Sequence, residues 1–279
     1  MVQIITDSTC DLSHERLEEI GVVCVPLTVH FGEKTFIDGE NLTAEEFYQY
    51  LRTDSEFPTT AQPTPHSFEK AFQAALDKGD EILCVLISGK LSGTVQSAHI
   101  AKEALGSDKI WIVDTNQTCA SLGLLVEIAA KRAKEGATTE ELYQEIAELS
   151  ARAKIYVSIE TLKYLRKGGR LSGAAAIVGT MLNLHPIVTV QDGLVFNIAK
   201  AKGKKKMISI LKELAMADGV DESYPFMFCH GGAEENLELA KECFAEDYDI
   251  SNCLMGYVGP VVGTYSGPGI VAVGVIKKK

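Results

Sequence analysis

Ser88-Gly89-Lys90-Leu91-Ser92-Gly93-Thr94 places three hydroxyls, two glycines and a lysine in seven residues. Before it runs Glu81-Ile82-Leu83-Cys84-Val85-Leu86-Ile87, apolar and too short for a helix, and after it Val95, Ala98 and Ala101 recur at helical spacing. The stretch therefore reads as strand, turn and helix, with hydroxyls over a helix N-terminus. There the first backbone N–H groups lack intrahelical partners and the dipole favours negative charge, while Gly93 lets a ligand approach the main chain. A small anionic group suits such a place. Capping of the helix by Ser92 or Thr94 would use the same atoms, so this stretch alone leaves both readings open.

Three other stretches could join it. Asp7-Ser8-Thr9-Cys10-Asp11 ends the apolar run Val2–Thr6, and its carboxylates could brace the turn or hold a metal. Phe57-Pro58-Thr59-Thr60-Ala61-Gln62-Pro63-Thr64-Pro65 is stiffened by three prolines and carries Thr59 and Thr60, which meet Ser92 if the loop folds over the sheet. The run from Gly259 to Gly269 packs four glycines, two prolines and three hydroxyls into eleven residues and predicts a loop with a special backbone path near a ligand.

Several familiar chemistries find no support. Neither G-x-G-x-x-G nor G-x-x-x-x-G-K-[ST] occurs, the six histidines show no metal-ligand spacing, and Ser92 lacks a G-x-S-x-G elbow. A serine-dependent acyl or phospho-ester enzyme using Ser92 remains the alternative, because triad members can lie far apart in sequence.

The elements that must position these groups alternate. Strands are predicted at Val2–Thr6, Val22–Val29, the 81–87 run and Ile110–Val113. Helices carry Leu17 and Ile20, Phe68 with Phe72 and Leu76, and the span Ser121–Lys134, and capping boxes at Thr43–Glu46 and Thr138–Glu141 open two more. This order predicts an N-terminal doubly wound, mainly parallel sheet, with Asp7, Ser92 and Asp114 beyond the carboxyl ends of its strands. After residue 155 the grammar changes. Leu162–Ser172 reads as a basic helix end, and Gln191-Asp192-Gly193 turns a hairpin between Leu184–Val190 and Leu194–Ala199. We therefore expect an α/β fold of two domains, 1–155 and 156–279.

The 279 residues suffice for two cores. A net charge of −11 disfavours nucleic acid, whose phosphates need a basic face. Seven cysteines without a C-x-x-C pair read as buried thiols in a reducing compartment. With no long apolar run, the chain is expected to be cytoplasmic, without an integral membrane segment. Lys200, Lys202, Lys204, Lys205 and Lys206 form a basic cluster that reads either as a solvated helix start or as a docking surface for an acidic partner.

Taken together, Ile4–Thr9, Ser88–Ala98, Glu160–Ser172 and Gly259–Gly269 resemble the DegV family of bacterial fatty-acid-binding proteins, in order along nearly the whole chain. That resemblance implies a long-chain fatty acid such as palmitate held between two α/β domains, with no cofactor, no metal and no catalysis. Its carboxylate would be bound by Thr60 and Ser92, helped by the side chain at Tyr265, with Ala61, Gly93, Thr94 and Ser266 around them. It further implies a separate ATP-dependent fatty acid kinase as partner, faced by Arg170, Lys167, Lys204 and Lys205. The chain departs from the family's usual pattern in having Tyr265 for His, Ala61 for Ser and His185 for Lys.

Overall fold

Short apolar runs and amphipathic helices resolve into three sheets in the computed structural model, which describes residues 1–53, 57–173 and 184–279. β1 (Val2–Asp7) leads through a 3-10 turn at Ser8–Cys10 to α1 (His14–Ile20). β2 (Val23–Val25), β3 (Thr28–Phe31), β4 (Lys34–Ile37), α2 (Ala44–Thr53) and β5 (Thr59–Ala61) follow. Next come α3 (Pro65–Leu76), β6 (Glu81–Leu86), α4 (Thr94–Leu105), β7 (Ile110–Asp114), α5 (Cys119–Lys134) and α6 (Thr139–Arg152). The remainder holds β8 (Ala153–Ser158), α7 (Lys163–Lys167), β9 (Leu184–Gln191), β10 (Leu194–Lys202), α8 (Lys204–Met216) and β11 (Met227–Gly231). It closes with α9 (Glu234–Ala245), β12 (Leu254–Tyr257), α10 (Pro260–Ser266) and β13 (Ile270–Ile276).

The first sheet, ordered β2-β1-β6-β7, is wholly parallel. Phe68 and Phe72 of α3 and Ala98 and Ala101 of α4 bury one face, while α5 and α6 cover the other, which is the expected doubly wound arrangement. The second sheet, β10-β9-β8-β13-β11-β12, is mixed, parallel only between β11 and β12. A third, antiparallel sheet β4-β3-β5 stands beside α2 and α10.

Two expectations need correction. The single strand read over Val22–Val29 is split, β2 joining the first sheet and β3 the third. Pro26 between them has no N–H to give a ladder. The Gly259–Gly269 run contains a short helix, α10, rather than only a loop. Pro260 at its first position is pre-set for helix, and Gly263 sits inside it because a Cβ there would stand 2.6 Å from Phe47 Cε1 and 3.0 Å from Tyr48 Oη.

α5 joins the sheets. Cys119 through Ala130 are all buried, so the helix is enclosed all round. It packs on β1 and β6 of the first sheet and on β8, β11 and β13 of the second, and one hydrophobic cluster runs through both. Gly123 permits the contact: a Cβ there would lie 2.5 Å from the Cys10 carbonyl oxygen and 2.7 Å from Met227 Sδ. Division of the chain at 155/156 is a proposal. Because β8 runs across that point, a cut between Arg152 and Ala153 keeps the strand whole. No described helix is long and apolar enough to cross a membrane.

Candidate functional site

Between the first and second sheets lies a slot walled by Ile155, Val157 and Ile159 of the β8 segment, Val188 and Val190 of β9, and Val195 of β10. Branched aliphatic residues suit both a strand and an apolar wall. At its other end the lining turns polar, with Thr60, Ser92, Arg170, Tyr265 and Ser266. The slot is narrow, with a volume of about 90 Å³.

Hydroxyls meet there in pairs. Thr60 Oγ1 and Tyr265 Oη are 2.6 Å apart, and Ser92 Oγ and Thr94 Oγ1 are 2.8 Å apart. Thr60 is placed by pairing opposite Val29 in the third sheet, with Pro58 and Pro63 flanking its strand. Ser92 follows β6 on a loop braced twice where it leaves the strand. Asp7 accepts from the Thr9 and Ile87 N–H groups at 3.0 and 2.8 Å and so ties the end of β1 to β6, and Asp114 accepts from Gly89 N–H at 3.2 Å. These carboxylates brace turns, and among the described residues no group of three or more His, Cys, Asp or Glu is arranged to hold a metal.

The second half of the chain closes the head end. Arg170 stacks its guanidinium over the Tyr265 ring at 4.6 Å and donates to the carbonyl oxygens of Leu91 (3.2 Å) and Gly168 (2.7 Å). The hairpin tip docks on the loop before Ser92: Ser88 Oγ donates to the Gly193 carbonyl at 2.9 Å and Lys90 Nζ to that of Asp192 at 2.7 Å. Asp192 and Gly193 have φ of 47° and 75°, the left-handed values expected of an Asp-Gly turn.

Of the residues expected at the head, Thr60, Ser92, Tyr265 and Ser266 line the slot, and Thr94 stands behind Ser92 as its partner. Ala61 and Gly93 do not line it. Ala61 is exposed on β5, and the space a Gly93 side chain would need is filled by Gln62, which donates to Ser97 Oγ at 3.0 Å. Gly93 thus admits a neighbouring side chain rather than a ligand. The four residues expected to face a partner are split. Arg170 and Lys167 border the mouth, Lys167 Nζ sitting 4.4 Å over the Phe57 ring. Lys204 and Lys205 open α8, which packs on the opposite face of the second sheet, and Lys204 pairs with Glu235 at 2.7 Å. The hydrogen-bond partner of the Ser92 hydroxyl is Thr94 Oγ1.

A protein-family model described as an uncharacterised protein of the DegV family matches residues 1–278. The chain belongs to the DegV family. A DegV domain-containing protein of Deinococcus radiodurans is 34% identical over 98% of this chain and 97% of its own length. One from Caldanaerobacter subterraneus subsp. tengcongensis is 32% identical over 96% and 95%. Among solved structures, a DegV family protein from Thermus thermophilus, described by its fatty acid binding, superposes with a TM-score of 0.90 at 33% identity over 99% of each chain. DegV from Bacillus subtilis, described as a fatty acid binding protein, gives 0.83 at 27% identity over 99% of each.

In this DegV chain, sequence reasoning missed the aliphatic wall. Val188, Val190 and Val195 alternate along the hairpin strands, a pattern visible in the sequence, yet burial against a core and burial against a ligand leave the same mark. Arg170 was read as a partner contact, and its stacking on Tyr265 makes it part of the head end as well.

Proposed function

We propose that the chain is a carrier that binds one long-chain fatty acid, such as palmitate, with its alkyl chain along the valine-rich wall and its carboxylate at Thr60, Ser92, Tyr265 and Ser266. The observation that carries this reading is the join of a narrow aliphatic slot to two hydroxyl pairs and one arginine. Each buried methylene contributes about 0.8 kcal/mol, so a tail of ~15 gains on the order of 10 kcal/mol before the costs of association and ordering. Hydroxyl donors hold the head, while the Arg170 guanidinium is engaged by the Tyr265 ring and by the Leu91 and Gly168 carbonyls. The related proteins described as fatty acid binding support the same assignment.

The carrier acts in the cytoplasm, has no catalysis of its own, and presents the carboxylate to a separate ATP-dependent fatty acid kinase for lipid metabolism. Lys167 and Arg170, which share a surface cavity with Thr60 and Tyr265, are the residues we assign to contact with that partner. Native mass spectrometry of protein purified without added lipid tests the reading, with a second spectrum after denaturation. A fatty-acid adduct that vanishes on denaturation is expected. An adduct that survives denaturation points to acyl-enzyme chemistry at Ser92, and protein that stays bare after palmitate is added refutes the carrier.

A further inference from the structure

The last turn of α10 carries the second half of the head site, and two acids that the binding chemistry does not use hold the start of the helix in place. Gly259 N–H donates to Asp11 Oδ1 at 2.8 Å. Asp38 faces the Val261 N–H and the Ser8 hydroxyl, both of which stabilise its charged form. Pro260 between them has no N–H, so Gly259 and Val261 supply two of the amides that the first turn has to satisfy. A Cβ on Gly259 would stand 3.2 Å from Asp38 Oδ1 and 3.3 Å from Asp11 Oδ1, so both carboxylates pack on the bare Cα. Tyr48 Oη donates to the Val258 carbonyl at 3.2 Å and fixes the approach to the same turn.

Both acids are buried, Asp11 at 4% and Asp38 at 5% exposure, and Oδ2 of each has no hydrogen-bond partner among the described residues. Among the described residues that face them there is no lysine or arginine. Asp7 and Cys10 lie on β1 and the 3-10 turn, Cys24 on β2, Tyr48 on α2, Cys119 on α5 and Cys229 on β11. His14, Glu18, Glu40 and Tyr257 line the cavity outside the pair. Two buried carboxylates are costly to hold, and their hydrogen bonds all go to the start of one short helix and its neighbours.

We propose that Asp11 and Asp38 are positioning residues for the ligand head: their side-chain oxygens clamp the first turn of α10 and, through it, hold Tyr265 and Ser266 against Thr60. The proposal rests on the fatty-acid reading of the slot. Burial pushes Asp38 up to about 7, so its charge is lost as pH falls through neutrality. An acid with a folded pKa above its unfolded value near 4 takes up a proton on folding, so its own contribution to stability grows as pH falls from about 7 to about 4. The same proton removes charge from the acceptor of Val261 and frees the first turn. Stability and ligand affinity therefore move in opposite directions over this window, which a purely structural role does not produce.

Asp38→Asn, neutral at every pH, is the test, read by hydrogen exchange over 258–266 and by palmitate titration from about pH 6 to about pH 8. The variant is expected to exchange about tenfold faster at pH 8 without loss of melting temperature, to bind palmitate about tenfold more weakly there, and to lose the pH dependence of binding. Unchanged exchange and an unchanged binding profile overturn the clamp. Faster exchange in the variant of a protein that binds no palmitate overturns the fatty-acid reading and keeps the clamp. If Asp38→Asn does not fold, Asp11→Ala, read by exchange at the Gly259 amide and by palmitate affinity, tests the clamp: faster exchange with weaker binding is expected, and both unchanged overturn it.

Discussion

Thr60 and Tyr265 form the hydroxyl pair on which the carrier reading can be tested most sharply. Their oxygens are 2.6 Å apart, and each hydroxyl has one proton, so the pair keeps one internal bond and one spare donor. A carboxylate in the slot takes the spare donor. Thr60→Val removes one hydroxyl at nearly constant shape, and Tyr265→Phe removes the other while leaving the ring under Arg170 at 4.6 Å. A hydrogen bond to a charged group contributes about 1.5–3 kcal/mol, so each single variant is expected to raise the palmitate Kd by about tenfold to a hundredfold. If one hydroxyl donates through the other, either change breaks the same relay. The double variant then loses little more than a single one, a coupling of about 1 kcal/mol or more in a double-mutant cycle. Titration calorimetry gives the affinities, and melting temperatures check that the fold is kept. Kd values within twofold of wild type for Thr60→Val, Tyr265→Phe and Ser92→Ala would remove the head site proposed here.

Two further outcomes are expected. Gly193→Ala puts a Cβ 2.5 Å from Ser88 Oγ and 2.7 Å from Asn116 Oδ1 at a φ of 75°, so it should lower stability by about 1–3 kcal/mol in chemical denaturation; an unchanged midpoint would show that the hairpin tip does not lock the loop before Ser92. Charge reversal of Lys204 and Lys205 together should leave palmitate affinity untouched, because α8 lies on the opposite face of the second sheet from the slot. If that basic run docks the kinase, phosphorylation of the bound fatty acid by the kinase falls; if phosphorylation is unchanged while Lys167→Glu reduces it, the mouth alone is the docking surface.

Periodicity made the first sheet legible, because a parallel strand buried on both faces is an uninterrupted apolar run and its crossover helices carry clear stripes. The hairpin was legible for a different reason: Asp192-Gly193 is a demand on the backbone, and the backbone meets it with two positive φ angles. Less was visible where the cause is a tertiary contact. Gly93 looked like room for a ligand and turned out to be room for Gln62, since a sequence shows that a side chain is missing without showing what fills the space. The glycines of 259–269 likewise looked like loop, whereas Gly263 serves the close packing of α10 on Phe47 and Tyr48. α5 could have been recognised as central, for Cys119–Ala130 has almost no polar face, but which two surfaces it joins depends on contacts far apart in sequence.

That central helix bears on how a long chain could enter. The slot is walled by branched aliphatic side chains from β8, β9 and β10 and closed at its head by α10, so any widening for a long tail has to move one of these walls. Separating the two sheets would strip α5 of contacts on β1, β6, β8, β11 and β13, a continuous buried surface, and burial of that extent is what makes an opening costly. α10 is a cheaper element to displace. It has seven residues, its last turn reaches Tyr265 and Ser266, and its first turn is held by the Asp11–Gly259 hydrogen bond and by the packing of Asp38 on Gly259. Opening by way of α10 would therefore move half of the head site as the tail enters, and the two carboxylates would set how readily it happens. The expectation that Asp38→Asn weakens binding without lowering the melting temperature follows from this division of labour between a rigid α5 and a clamped α10.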